Sequence, residues 1–217
     1  MTEPRLLKKD LFGEVWHTGI GSQQRIVRDA GAARRWLRWL ARHLLQREAR
    51  ALAALDGLRG IPELIEIRSD SLVRSYLAGT PMHRGQPRDP GYFRAAAALL
   101  RKLHRANVVH NDLAKEPNLL VQPNSTPALI DFQLAWHANR RGRLFRLLAY
   151  EDLRHLLKHK RTYCAQHLTE RERTILANPS PLSRAWMATG KPVYLFVTRR
   201  LLGWADREGA ADRNEQA

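Results

Sequence analysis

His110, Asp112, Asn118 and Asp131 fall in one short stretch of the chain. A His stands two positions before an Asp, an Asn follows six positions after that Asp, and a second Asp closes an apolar run 19 positions on. A carboxylate at the loop position can orient and deprotonate a hydroxyl. A second carboxylate, with an amide oxygen, can hold Mg²⁺ against a nucleoside triphosphate. That is equipment for phosphoryl transfer. Each residue type is common by itself; the order and the spacing carry the reading.

The flanking pattern supplies elements that could position these groups. From Leu11 to Val27, short apolar patches alternate with Gly13, Gly19 and Gly21, which predicts two or three strands joined by tight turns. The period then changes. Leu37, Leu40, Leu44, Ala51 and Leu55 recur at helical steps, predicting one amphipathic helix over 32–55, with Arg34, Arg35, Arg38, Arg42 and Arg50 mostly elsewhere around it. Gly57, Gly60 and Pro62 end it. Strands are expected over 63–68 and 71–77, before the turn signal Ala78-Gly79-Thr80-Pro81. A helix is expected from Pro90 to Arg105, then the apolar pair Val108-Val109, a strand at 128–130 and helices beyond Arg143. The expected class is α+β: a β-rich lobe over 1–77, then a helical lobe over 78–217.

The segments HNDLAKEPN and LIDFQLA resemble the catalytic loop and the metal-binding Asp-Phe-Gly strand of the protein-kinase-like superfamily. The resemblance implies a two-lobed fold using ATP and Mg²⁺. It makes Asp112 the catalytic base, Asn118 and Asp131 the Mg²⁺ ligands, and His110 the prop of the catalytic loop, with Lys115 beside the γ-phosphate. Asn118 stands one position later than in that family, implying a one-residue insertion around 114–117, and Gln133 replaces the usual Gly. Upstream, Glu48 lies on the apolar stripe of the long helix, where a carboxylate needs a buried partner. The resemblance pairs it with Arg28, which stands where kinases carry Lys. Gly13 is the single glycine of a thin phosphate loop. Ser75, Tyr76 and Leu77 fall at the hinge that receives adenine, with Arg74 at the gatekeeper position. Glu151-Asp152-Leu153-Arg154 falls where the lobe-stabilising helix of kinases carries its Asp.

No Ala-Pro-Glu follows Asp131, and the chain is short. In this it is similar to RIO kinases, aminoglycoside-type phosphotransferases and the lipopolysaccharide core sugar kinases of the Kdo and heptose type. The resemblance implies a hydroxyl acceptor, ranked as a core sugar first and a protein Ser or Thr second. The rival reading is a non-catalytic kinase-like module binding anionic lipid, RNA or a partner protein. Arg28, the thin glycine loop and Gln133 motivate it. Retention of Asp112, Asn118 and Asp131 favours the enzyme.

The 217 residues carry 37 Lys and Arg against 21 Asp and Glu, a formal charge of +16. Such a charge favours anionic partners: phosphorylated substrates, anionic lipid head groups, or nucleic acid, the last not favoured here. The Arg cluster at 140–146 could hold an acceptor's phosphates. Trp186, Tyr194, Phe196 and Trp204 with Lys191, Arg199 and Arg200 suit an anionic membrane surface, and a glycolipid acceptor at the inner leaflet would fit that face. The composition excludes collagen, a disordered tail and a disulfide scaffold. Cys164 is the single cysteine and is expected to be structural, and no run reaches membrane-spanning length. The cytoplasm, with a peripheral place at the inner membrane, is the expected compartment. His155 and His159 are four apart but lack a third ligand for a metal.

Overall fold

The computed structural model describes residues 4–181. The aromatic and basic segment at 186–204, read above as suited to a membrane surface, lies outside them.

The first half builds one antiparallel sheet in the order β1-β2-β3-β5-β4. Its strands are β1 (Arg5–Asp10), β2 (Gly13–Thr18), β3 (Arg25–Asp29), β4 (Leu64–Ile67) and β5 (Ser71–Ser75), with α1 (Arg38–Ala54) between β3 and β4. β1 begins earlier than the expected strand region and has an exposed face-to-face sequence, RLLKKD, without the apolar alternation that marks a half-buried strand. Its pairing to β2 is what makes it a strand. Gly13 opens β2 at φ 128°, and a Cβ there would stand 2.0 Å from the Asp29 carbonyl oxygen, so only glycine lets this turn close onto β3.

The α1 helix starts at Arg38, after a 3₁₀ turn at Arg35–Leu37, rather than at the expected Ala32. The reason is tertiary. Ala33 N–H donates to the Ala30 carbonyl at 3.2 Å and Arg34 N–H to the Leu11 carbonyl at 3.3 Å, holding 30–34 against the β1–β2 turn. From there α1 buries Ala41, Leu45, Glu48, Ala49, Ala51 and Leu52 on one face.

After β5 the chain forms β6 (Thr80–Pro81), the short α2 (Met82–Gly85) and α3 (Pro90–Arg105). Asp89 caps α3, accepting from Gly91 N–H, and Pro90 sits at its first position, where its missing N–H costs nothing. β7 (Val108–Val109), β8 (Leu119–Val121), β9 (Pro127–Leu129) and β10 (Trp136–His137) follow, then α4 (Arg143–Tyr163) and α5 (Glu170–Ala177). β6, β8 and β9 form a three-stranded sheet, and β7 pairs with β10. The larger buried cluster runs from Ala30 and Leu45 in the first half through Leu103 and Phe132 to Leu156 and Cys164, so both halves share one core. Cys164 is buried and its thiol faces the Arg88 carbonyl oxygen at 2.8 Å, a packing role. No helix among the described residues is long and apolar enough to cross a membrane.

Candidate active site

The 110–118 loop is fastened from below by one buried carboxylate. Asp152 of α4 accepts from His110 N–H at 2.7 Å and Asn111 N–H at 2.9 Å. His104 of α3 meets the same carboxylate at 3.3 Å. The His110 ring spans the gap to the next strand: Nε2 meets the Ile130 carbonyl oxygen at 3.0 Å, and Nδ1 accepts from Asp112 N–H at 3.3 Å. With one nitrogen at a carbonyl and the other at an amide, the imidazole is a strut between the two Asp-bearing segments. It is buried and lies 4.7 Å from the Phe132 ring. A second support comes from His159 of α4, whose Nε2 reaches the Leu113 carbonyl oxygen at 2.7 Å.

The segment where the resemblance places an insertion includes a 3₁₀ turn at Glu116–Asn118. The turn brings Asn118 back so that Nδ2 donates to both the Asp112 carbonyl and its carboxylate Oδ2, each at 2.9 Å. Lys115 Nζ lies 3.3 Å from the same Oδ2. Burial pushes the Asp112 carboxyl above its ordinary value, and Asp131 pushes the same way; Lys115, His110 and Asn118 oppose them without cancelling the shift. A raised carboxylate suits a group that must take up a proton.

Asp131 itself sits at φ 63°, ψ 71°, a left-handed conformation that few non-glycine residues adopt. Burial would raise its carboxyl, but Arg28, Arg74, Lys115 and His110 outweigh burial and hold it below the usual carboxylate range. Gln133 lies in the 3₁₀ turn Phe132–Leu134 that follows. That turn is gripped from α1, where Arg47 donates to the Leu134 carbonyl at 2.9 Å and the Ala135 carbonyl at 3.2 Å.

Above the loop, Arg28 of β3 links α1 to the segment that carries Asp131. Its Nε is 3.2 Å from Glu48 Oε2 and its Nη2 3.3 Å from Asp131 Oδ1. Glu48 is fully buried, which settles its place on the core side of α1 rather than on the solvated margin. It has a second cation: Arg74 Nε stands 3.3 Å from Glu48 Oε1. The contacts around Glu48 are ion pairs without aligned hydrogen bonds. Burial lowers the Arg74 guanidinium from its ordinary value, and the neighbouring Arg28 adds to that.

Thus Arg28, Glu48, His110, Asp112, Lys115, Asn118 and Asp131 converge on one mouth. The remaining candidates make other contacts. Gly13 is occupied in the turn against Asp29. The Ser75 and Tyr76 amides donate to the Glu63 and Gln24 carbonyls at 2.9 and 3.2 Å. Ser75 and Leu77 also border an open cleft of about 710 Å³ between α3 and the β8–β9 hairpin, whose lining includes none of the converging residues.

Three contributors were not singled out from the sequence: Arg74 as partner of Glu48, Arg47 as the clamp on 134–135, and His104 on Asp152. Arg74 did carry a signal, since an Arg in a strand expected to be buried calls for a buried acid.

Asn118 and Asp131 offer hard oxygen donors. Mg²⁺ is ordinarily held by one or two protein oxygens plus waters and substrate phosphates, so this donor set fits it.

The family model described as RIO domain matches residues 22–177. No curated protein matches the chain.

Proposed function

Because the chain belongs to the RIO domain family, a family of atypical protein kinases with a kinase-like phosphotransferase fold, we propose that it transfers the γ-phosphate of ATP to a hydroxyl, with Asp112 as the base. The observation that carries this reading is the pair of carboxylates, Asp112 and Asp131, held by different devices on one mouth with Asn118 between them. Asp112 is fixed by the Asn118 amide and shifted toward proton uptake, so it orients the acceptor hydroxyl and receives its proton. Asn118 and Asp131 would hold Mg²⁺, whose charge would offset that of the nucleotide phosphates. Arg28, poised between Glu48 and Asp131, contacts the phosphates. A guanidinium there forks onto two oxygens where an ammonium would act as a point charge.

The RIO match favours a protein Ser or Thr hydroxyl as acceptor over the lipopolysaccharide core sugar ranked first from sequence, for which no comparison gives support. Melting temperature with ATP and Mg²⁺ tests the nucleotide site by mass action. Stabilisation that disappears in Asp131→Ala is the expected result, and phosphate transfer to a generic acidic protein substrate should disappear in Asp112→Asn. Equal melting with and without saturating nucleotide would leave the non-catalytic module as the reading.

A further inference from the structure

From Ala30 to Arg47 the chain carries five arginines and no acidic residue. Its start is also where two tryptophans stand in solvent: Trp36 is 58% and Trp39 69% exposed, while Leu37 and Ala41 beside them are buried in the core. The two indoles are three positions apart, Trp36 on the 3₁₀ turn that leads into α1 and Trp39 in the first turn of α1. Arg34, Arg35, Arg38, Arg42 and His43 around them are exposed as well. Asp70 on the β4–β5 turn pairs with Arg42, so the shoulder keeps a strong positive excess.

We propose that this shoulder, Trp36 and Trp39 ringed by Arg34, Arg35 and Arg38, docks the protein onto an anionic membrane surface. Exposed tryptophans lose apolar hydration by entering the head-group region, where their N–H still finds a partner, and guanidiniums meet lipid phosphates at the same depth. A single-stranded nucleic acid needs instead a groove whose aromatic faces stack bases. Here the rings stand out from a helix start, and neither takes part in the described ring pairs. The shoulder is continuous with the helix that carries Glu48. Arg34 N–H holds the β1–β2 turn through Leu11, and Glu48 lies ten residues along the same helix from Arg38, about 15 Å at the rise of an α-helix. Docking would therefore bring the catalytic mouth close to the lipid head groups. The proposal does not depend on phosphoryl transfer, because binding can be read without turnover.

The test is flotation of the full chain with vesicles of phosphatidylcholine, alone or mixed with phosphatidylglycerol, at about 0.1 M salt, where charges on the surface still act over about 10 Å. Wild type should float with the mixed vesicles only. W36A/W39A should lose about tenfold or more in partitioning at unchanged melting temperature, as loss of two interfacial anchors requires. R35Q/R38Q should lose about fivefold per charge removed, and this variant decides the matter if the tryptophan pair fails to fold. Unchanged binding of both variants would overturn the proposal, because the general positive charge would then suffice. Equal capture by pure phosphatidylcholine, or binding to single-stranded RNA without binding to vesicles, would overturn it too.

Discussion

Two buried carboxylates hold this molecule's mouth together, and they do so by opposite means. Asp152, 1% exposed, is satisfied by backbone amides of the 110–118 loop at 2.7 and 2.9 Å and by His104. Glu48, also buried, faces two guanidiniums at 3.2 and 3.3 Å without aligned hydrogen bonds. Directional bonds to amides fix one geometry, because each must be short and nearly linear. A charge cluster is more forgiving: Arg28 and Arg74 against Glu48 and Asp131 balance in sum, whatever the detailed pairing. The lower support is thus tied to one geometry, while the upper one can exchange partners, as the proposed contact of Arg28 with a phosphate would require. Arg74 would make that exchange less costly, since Glu48 would keep a cation if Arg28 turned to a ligand.

The largest effect should come from the group both supports serve. Asp112→Asn should lower kcat about 10²–10⁴-fold, the usual contribution of a positioned base. It should also raise the melting temperature at neutral pH. The folded carboxyl is shifted up, so its favourable contribution is present below the ordinary value of 3.8 and is lost as pH rises through the folded value. The variant's advantage should shrink as the pH falls through that window; a constant difference would show that burial of the charge is not the cause. Next, Glu48→Ala strands two buried cations and should cost about 3–5 kcal/mol in urea unfolding. Asp152→Asn retains one acceptor oxygen and leaves one amide unsatisfied, so about 1–3 kcal/mol is expected, with kcat falling more than KM rises. If Asp152→Asn proved costlier than Glu48→Ala, the contrast drawn between the two supports would be wrong.

Much of the mouth could be read from the chain because its residues are local. His110, Asp112 and Asn118 share one loop, and the β8–β9 hairpin returns Asp131 to it over a short span. Glu48 was legible from periodicity, because a carboxylate on an apolar stripe announces a buried partner. The choice of partner was not fully legible. Arg28 came by analogy, whereas Arg74 joins through a sheet in which β3 lies next to β5, a pairing that no local pattern encodes. The start of α1 was misplaced for the same reason, since Arg34 spends its amide on the Leu11 carbonyl across the fold. β1 escaped because an exposed edge strand carries no alternation. Trp36 and Trp39 were visible as letters but look like core residues until their exposure is known.

The smallest effect marks the boundary of the comparison. Arg42 and Asp70 also form an ion pair, contacting through two nitrogens, but the side chains are 50% and 38% exposed. Water and salt screen such a pair, and holding two flexible side chains together offsets what attraction remains. The pair raises the Arg42 guanidinium and lowers the Asp70 carboxyl through their mutual hydrogen bond, yet exposure separates a titration shift from a contribution to folding. Arg42→Ala should leave the melting temperature unchanged at moderate salt, whereas Arg28→Ala and Arg74→Ala should not. The same charge on the same fold is worth a different amount because of where the solvent stops. A melting temperature for Arg42→Ala that fell as far as that for Arg74→Ala would mean that burial does not set the ranking, and the distinction between an adaptable buried cluster and an ordinary surface pair would have to be given up.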